Sequence, residues 1–196
     1  MNPQQSKNGR IAIFGGRFDP PHIAHIIHAE LILDEFQLEK IIFIPAANPP
    51  HKKACAEFED RFRMLKLAIA KQQGFELSDV ESKNSLSYTV DTLKTISPQL
   101  NASQLYLIIG NDEYNVFSTW REPEKIRNLA ELIVLPRLKH NIPTKQAGVH
   151  FPDLPHIEIS STLIRSRIAS KKSVRFWVPE SVEKFIYENG LYKEVQ

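Results

Sequence analysis

The sequence predicts an α/β fold built on a doubly wound, mainly parallel sheet. Short apolar runs alternate with helical patterns along the chain, which is the arrangement that buries a parallel sheet between helices. Several of the runs are β-branched, as strands covered on both faces should be. A glycine pair, Gly15-Gly16, lies between the first run and the first helical pattern, where such folds place a ligand. With 196 residues and 42% hydrophobic content, the chain has enough material for one domain of this kind, 1–196.

The elements follow in order. Ile11–Phe14 reads as the first buried strand, preceded by a loose polar tail over Met1–Arg10 (residues 1–9 before the domain proper) that has no apolar signal core. Further strands are predicted at Lys40–Pro45, Phe75–Val80, Leu105–Ile109 and Glu131–Leu135. Helices are predicted at Ile23–Phe36, Phe58–Gln72 and Tyr88–Ile96, with a broken pair across Asp112–Leu129. In the second helix, Phe58, Phe62, Leu65 and Ile69 recur at helical spacing and are expected to face the sheet. Pro136–Pro155 is polar and reads as the most mobile loop. The chain closes with a small helical part, 159–192: a helix from Ser160 or Ser161 to about Ala169, a connection over Lys171–Val178, and a last helix opened by Pro179 and closed by Gly190.

Composition narrows the function classes. A net charge of +2 lacks the basic surplus of a nucleic-acid binder. No apolar run approaches the length of a membrane span. A single cysteine, Cys55, permits no internal disulfide and fits a reducing, cytoplasmic setting; it reads as a loop bystander.

The chemistry concentrates at Gly15-Gly16-Arg17-Phe18-Asp19-Pro20-Pro21-His22-Ile23-Ala24-His25. A glycine turn lets backbone approach a phosphate, and a helix N-terminus offers free N–H groups and a positive dipole end. His22 and His25 are three apart and share one helix face beside that anion site. Asp19, His22 and His25 are also a conceivable zinc set for a hydrolase, a reading that leaves 159–165 without a purpose. Ile159-Ser160-Ser161-Thr162-Leu163-Ile164-Arg165 is a capped helix start that, paired with the first site, suits a triphosphate cradle. Gly110-Asn111-Asp112 follows the fourth strand; Asp112 reads either as a cap or as an acceptor for ribose hydroxyls.

Gly-Gly-x-Phe-Asp-Pro-x-His-x-x-His resembles the GGxFDPxHxGH motif of the nucleotidyltransferase superfamily, and residues 159–165 are similar to its ISSTxIR motif. Arg17 stands where that motif usually has Thr or Ser, and Ala24 replaces the glycine between the histidines. Pro49-Pro50-His51-Lys52, Ser87-Tyr88-Thr89 and Phe117-Ser118-Thr119-Trp120, in this order, resemble bacterial nicotinate-mononucleotide adenylyltransferases. The resemblance runs from about Arg10 to Tyr192 and is weakest across 136–155. It implies a Rossmann-like nucleotidyltransferase fold and transfer of an adenylyl group from ATP to nicotinate mononucleotide, in NAD biosynthesis. It implies catalytic roles for His22, His25 and Arg165. The ATP site it implies comprises Gly15, Gly16, Phe18, His22, His25, Gly110, Asp112, Ile159, Ser160, Ser161, Thr162 and Arg165. The acceptor site comprises Gly16, His51, Lys52, Thr89, Trp120 and Arg121, with the tryptophan stacked on the nicotinate ring. Mg²⁺ is expected to arrive with ATP, without a protein metal site of its own. The partners are these two small molecules, with no nucleic acid and no membrane; oligomeric state is left open.

That chemistry suits the residues. A phosphate monoester has its second pKa near about 6, so the nucleophile is already largely dianionic and needs no strong base. The protein must instead align two anions and stabilise the leaving pyrophosphate, tasks for imidazoles and helix termini. Two alternatives remain at this point: a related transferase acting on another phosphate such as phosphopantetheine, and a non-catalytic nucleotide-binding regulator.

Overall fold

The computed structural model describes residues 9–48, 54–82, 87–136 and 146–193. Six strands form one sheet: β1 (Arg10–Gly16), β2 (Lys40–Pro45), β3 (Phe75–Leu77), β4 (Gln104–Gly110), β5 (Glu131–Leu135) and β6 (Val149–His150). Their order is β3-β2-β1-β4-β5-β6, and among the described residues all five pairings are parallel, in keeping with the doubly wound, mainly parallel sheet expected. The strand order reverses between β1 and β4. In a doubly wound sheet the crevice beyond the carboxyl ends of those two strands is the ligand site.

Strand alternation divides the core. Ala12, Phe14, Ile41, Phe43, Tyr106 and Ile108 point to one face. There they meet α1 (Ile23–Glu35), through Ile26, Ala29 and Ile32, and α2 (Phe58–Ile69), through Leu65 and Ile69. Ile11, Ile13, Ile42, Ile44, Leu107 and Ile109 point to the other. That face is covered by α3 (Thr89–Ile96), through Val90 and Leu93, and α5 (Pro123–Leu129), through Ile126. Full burial of each such aliphatic side chain contributes about 1.5–3 kcal/mol. Between β4 and α5 lie the one-turn helix α4 (Asn111–Tyr114) and a 3₁₀ turn at Phe117–Thr119. The last helices, α6 (Ser161–Ala169) and α7 (Glu180–Glu188), form a third cluster in which Ile164, Ile168, Val182 and Ile186 pack with Met64 of α2. Gly190, at φ +64°, takes the left-handed position just past the Asn189 C-cap, as its place in the sequence predicts.

Several expectations are corrected. Arg10 belongs to β1 and not to the tail: it pairs with Gln104, and its guanidinium donates to the Tyr106 hydroxyl at 2.8 Å. β3 stops at Leu77, because only three of its residues pair with β2; Val80 packs instead against the α3 side of the core. The segment 136–155 is not loop throughout. Its later part supplies β6, anchored by buried Val149 and a 2.6 Å contact from His150 to Glu131. Two residues are too short a run to show strand periodicity. On α2, Leu65 and Ile69 are buried, but Phe58 and Phe62 are half-exposed and lie with their rings 5.9 Å apart. The inward position of that first turn is occupied by Arg61.

Candidate active site

The glycine pair does not form the turn. Gly15 and Gly16 are the last residues of β1, paired with Ile44 and Pro45, and neither has positive φ. Gly16 suits its place for a different reason: a Cβ there would lie 3.1 Å from the ring of Phe18, a tight contact that the ring would have to shift to relieve. The turn itself is 17–21, with Phe18 in the left-handed region at φ +48° and a cis Asp19–Pro20 peptide. Phe18 is buried, and its ring meets those of Phe14, Phe43 and His25 at 5.6, 5.9 and 5.1 Å. The turn thus seats an aromatic wedge against the histidine.

His22 is the N-cap of α1 and is buried, not solvated. Its ring stacks on that of His25, with centroids 3.6 Å apart and planes 20° from parallel. The His22 N–H donates to His25 Nδ1 at 3.1 Å. A ring nitrogen that accepts carries no proton, so His25 holds its proton on Nε2. The next amide, Ile23 N–H, donates to the Trp177 carbonyl at 2.9 Å. One turn on, His28 is buried and pairs through Nε2 with the Pro155 carbonyl at 2.9 Å, tying α1 to the segment that leads into α6.

Asp19 is 1% exposed and turned into the protein. Its carboxylate accepts the N–H groups of Cys55 (2.7 Å) and Ala56 (3.1 Å) and the hydroxyl of Tyr192 (2.8 Å). Burial, and then the adjoining Asp19 charge, push the Tyr192 phenol well above its usual pKa, so it stays a donor. A carboxylate so engaged is not presented with His22 and His25 to a metal. Among the described residues no group of three or more His, Cys, Asp or Glu side chains is placed to hold one. The zinc-hydrolase reading loses its ligand set.

The start of α6 docks on this turn. Ser160 caps it, accepting the Leu163 N–H at 3.2 Å, and Ser161 donates its hydroxyl to the Pro20 carbonyl at 2.8 Å. Arg165 donates to the Asp19 carbonyl at 2.7 Å and to the Thr162 hydroxyl at 3.3 Å. It braces the turn.

A cleft of about 1080 Å³ opens at the predicted switch point. Gly15, Gly16, Phe18, His22 and His25 line it from the β1 side. Gly110 and Asp112, which sits in the first turn of α4 and is not its cap, line it from the β4 side. Ile159, Ser160, Ser161 and Thr162 line it from α6, with the Arg165 guanidinium behind them against Thr162 and the Asp19 carbonyl. Thr89, Trp120 and Arg121 line the remaining wall. Those last three are brought together by Arg121, whose guanidinium lies 4.8 Å over the Tyr88 ring and 3.2 Å from Asp91. Thr89 opens α3, so its N–H is a first-turn donor without an intrahelical acceptor. Trp120 packs its ring 5.3 Å from Phe117. His51 and Lys52 lie outside the described residues.

Two framework groups escape sequence reasoning. Tyr192 has no local signal. Arg61 has one: it is a lone charge on the apolar face of α2, between Phe58 and Leu65. It is 1% exposed, and burial pulls its pKa below the usual arginine value while nearby Asp19 opposes that shift.

The cytidylyltransferase-like family matches residues 13–167. A probable nicotinate-nucleotide adenylyltransferase of Desulfitobacterium hafniense is 41% identical over 198 residues, covering 94% of this chain and 96% of its own. The chain belongs to this family. A second member, the probable nicotinate-nucleotide adenylyltransferase of Thermus thermophilus, is 37% identical and covers 94% of this chain and 100% of its own. The solved Plasmodium falciparum nicotinic acid mononucleotide adenylyltransferase complexed with NaAD shares the fold, with a TM-score of 0.83 at 22% identity over 95% of this chain and 98% of its own. Like the adenylyltransferases it is similar to, this chain is a nucleotidyltransferase. Among the described residues no helix is long and apolar enough to cross a membrane.

Proposed function

We propose that the protein joins ATP to nicotinate mononucleotide, giving nicotinate adenine dinucleotide and pyrophosphate in NAD biosynthesis. The observation that carries this reading is one cleft with two unlike ends. One end has the stacked His22–His25 pair and the α6 start; the other has Thr89, Trp120 and Arg121. A single domain spanning the chain serves both substrates, and the lone Cys55 fits a cytoplasmic enzyme.

The triphosphate lies over the helix starts. Gly15, Gly16 and Phe18 shape its floor, and Ile159–Thr162 border it, with first-turn amides of α6 as donors. Asp112 accepts from the ribose, with Gly110 leaving room beside it. Mg²⁺ would enter as part of the ATP substrate, and the imidazoles and helix-start amides of the cleft would bind phosphate oxygens directly. The nicotinate ring stacks on Trp120, and its carboxylate meets the backbone N–H groups near Thr89 and Arg121. Gly16, His51 and Lys52 serve the acceptor phosphate.

An oxygen of that phosphate attacks the α-phosphorus of ATP. The bond from the α-phosphorus to the bridging oxygen breaks, and pyrophosphate departs with the electron pair. His25, holding its proton on Nε2, donates to an oxygen whose charge grows during this step, and His22 acts beside it. Arg165 acts through the turn it braces.

The test measures pyrophosphate release from ATP and Mg²⁺ with nicotinate mononucleotide, nicotinamide mononucleotide or phosphopantetheine. Nicotinate mononucleotide should give the highest kcat/KM. An amide facing backbone donors leaves a buried group unpaired, at a cost of about 1–3 kcal/mol, or roughly fivefold to 150-fold. Trp120→Ala should weaken both mononucleotides and leave their ratio largely unchanged. Equal use of the two, or preference for phosphopantetheine, overturns the acceptor assignment.

A further inference from the structure

Residues 46–48 leave β2 at the mouth of the cleft without a reactive side chain, yet their backbone is hydrogen-bonded throughout. Ala46 N–H donates to the Gly16 carbonyl at 2.8 Å. Ala47 N–H donates to Ser87 Oγ at 3.0 Å and to Glu81 Oε2 at 3.3 Å. Asn48 N–H donates to Ser87 Oγ at 3.1 Å, and its carbonyl accepts the Ser87 N–H at 3.0 Å. The carbonyls of Ala46 and Ala47 accept from Arg61 Nη1 (2.7 Å) and Nη2 (3.2 Å). This short segment therefore bridges the end of β1 to the start of α3, from the phosphate side of the cleft to its acceptor wall.

Arg61 clamps that bridge to the turn. Its Nη1 also donates to the Arg17 carbonyl at 2.9 Å, and its Nε donates to the Ala56 carbonyl at 3.1 Å. Its hydrogen bonds thus go to four backbone carbonyls, and a buried charge with such neutral partners is costly. Filling the core would take only a Met or Leu. What the guanidinium uniquely supplies is a rigid planar fork that holds several carbonyls in fixed relation. Arg61 does not line the cleft, so it acts on the substrates only through the backbone it holds.

We infer that Arg61 is a positioning residue for the adenylyl transfer: it sets the spacing between the 17–21 turn beneath ATP and the 46–48 bridge to the acceptor wall, and so the in-line approach of the acceptor phosphate. The inference rests on the adenylyltransferase reading above. Each substrate keeps its own contacts when the clamp is lost, but their mutual alignment slackens. A displacement of about 1 Å in such an alignment costs on the order of a hundredfold in rate.

The experiment compares the full-length wild type with Arg61→Lys and Arg61→Gln. Turnover is corrected for the folded fraction, and the affinity of each substrate alone is measured by calorimetry. Arg61→Gln should lower kcat by about tenfold to a hundredfold, with each Kd within about threefold of wild type. Arg61→Lys, which retains donors but not the fork, should recover part of the loss. A merely structural arginine would lower the melting temperature and leave the kcat of folded protein within about twofold of wild type; that result overturns the proposal. So does a loss confined to the affinity of one substrate. If the Arg61 variants do not fold, Ser87→Ala releases the same bridge from its other side, and an unchanged kcat there overturns the proposal equally. Wild-type product formation separately decides the adenylyltransferase reading; should another acceptor prove correct, the variant ratios are read with it.

Discussion

Two helix N-termini meet at one cleft and are finished in opposite ways. The start of α6 has a serine cap, a second serine bonded to the Pro20 carbonyl, and an arginine bonded to the Asp19 carbonyl. The start of α1 has no hydroxyl cap: its N-cap is His22, whose amide is taken by the ring of His25. The side chains of α6 thus largely serve the turn that precedes α1, whereas those of α1 serve the cleft. Similar helix-end physics yields a brace in one place and a working end in the other. What separates them is which partners the side chains near the cap take: those of α6 bond to the turn before α1, whereas His22 and His25 stack on each other at the cleft wall.

The sharpest way to break this comparison is at α1. His25→Ala should lower turnover by about two to three orders of magnitude with the fold intact, as loss of one transition-state donor does. His22→Ala should act similarly. Pyrophosphate release at saturating ATP, alongside circular dichroism, checks both; near-wild-type rates would remove α1 from the chemistry.

At α6 the expected effect is smaller and of another kind. Arg165→Ala frees the Asp19 carbonyl and loosens the turn under ATP, so the KM for ATP should rise by about tenfold, more than that for the acceptor. Steady-state kinetics with each substrate varied in turn would show it. A rise for the mononucleotide alone would contradict the brace.

Ser160→Ala sharpens the capping side. It should cost about 1 kcal/mol of stability, read as a lower denaturation midpoint. An unchanged midpoint would mean that the hydrogen bonds of Ser161 and Arg165 hold the helix start without its cap.

Ala24→Gly is the finest probe. Ala24 is buried within α1 and lines the cleft between the two histidines. Glycine should cost up to about 1 kcal/mol of stability as the poorer helix former, while the missing methyl lets ATP bind more tightly. Calorimetric ATP titration decides whether that methyl meets the nucleotide.

The α1 site is legible in the sequence because it is contiguous. Strand end, turn and helix start fall within residues 10–25, and local rules of backbone and charge apply there directly. Even so, residue types place the turn one step early. Gly15-Gly16 reads as a turn, but β1 pairs with β2 through Gly16, and the small residue there leaves room for the ring of Phe18. The α6 site is legible as a helix start but not in its orientation. Arg165 reads as a ligand for ATP; its partner Asp19 lies 146 residues earlier, and no local pattern reveals that pairing. β6 escapes a sequence reading because two residues carry no period, and Arg61 does so because a lone charge on an apolar helix face has no meaning until its partners are known.

The sequence by itself determined the alternation of elements, the parallel sheet, the position of the helix starts that line the cleft and the types of group around them. These follow from spacing along the chain, since burial and helix-end chemistry act over a few residues. Only the tertiary structure decided that Asp19 turns inward, that His22 and His25 stack with His25 protonated on Nε2, and that Tyr192 and Arg61 support the turn from beyond the end of α7 and from α2. Those outcomes depend on which buried polar groups find partners across the fold, and that is settled only when distant segments pack together.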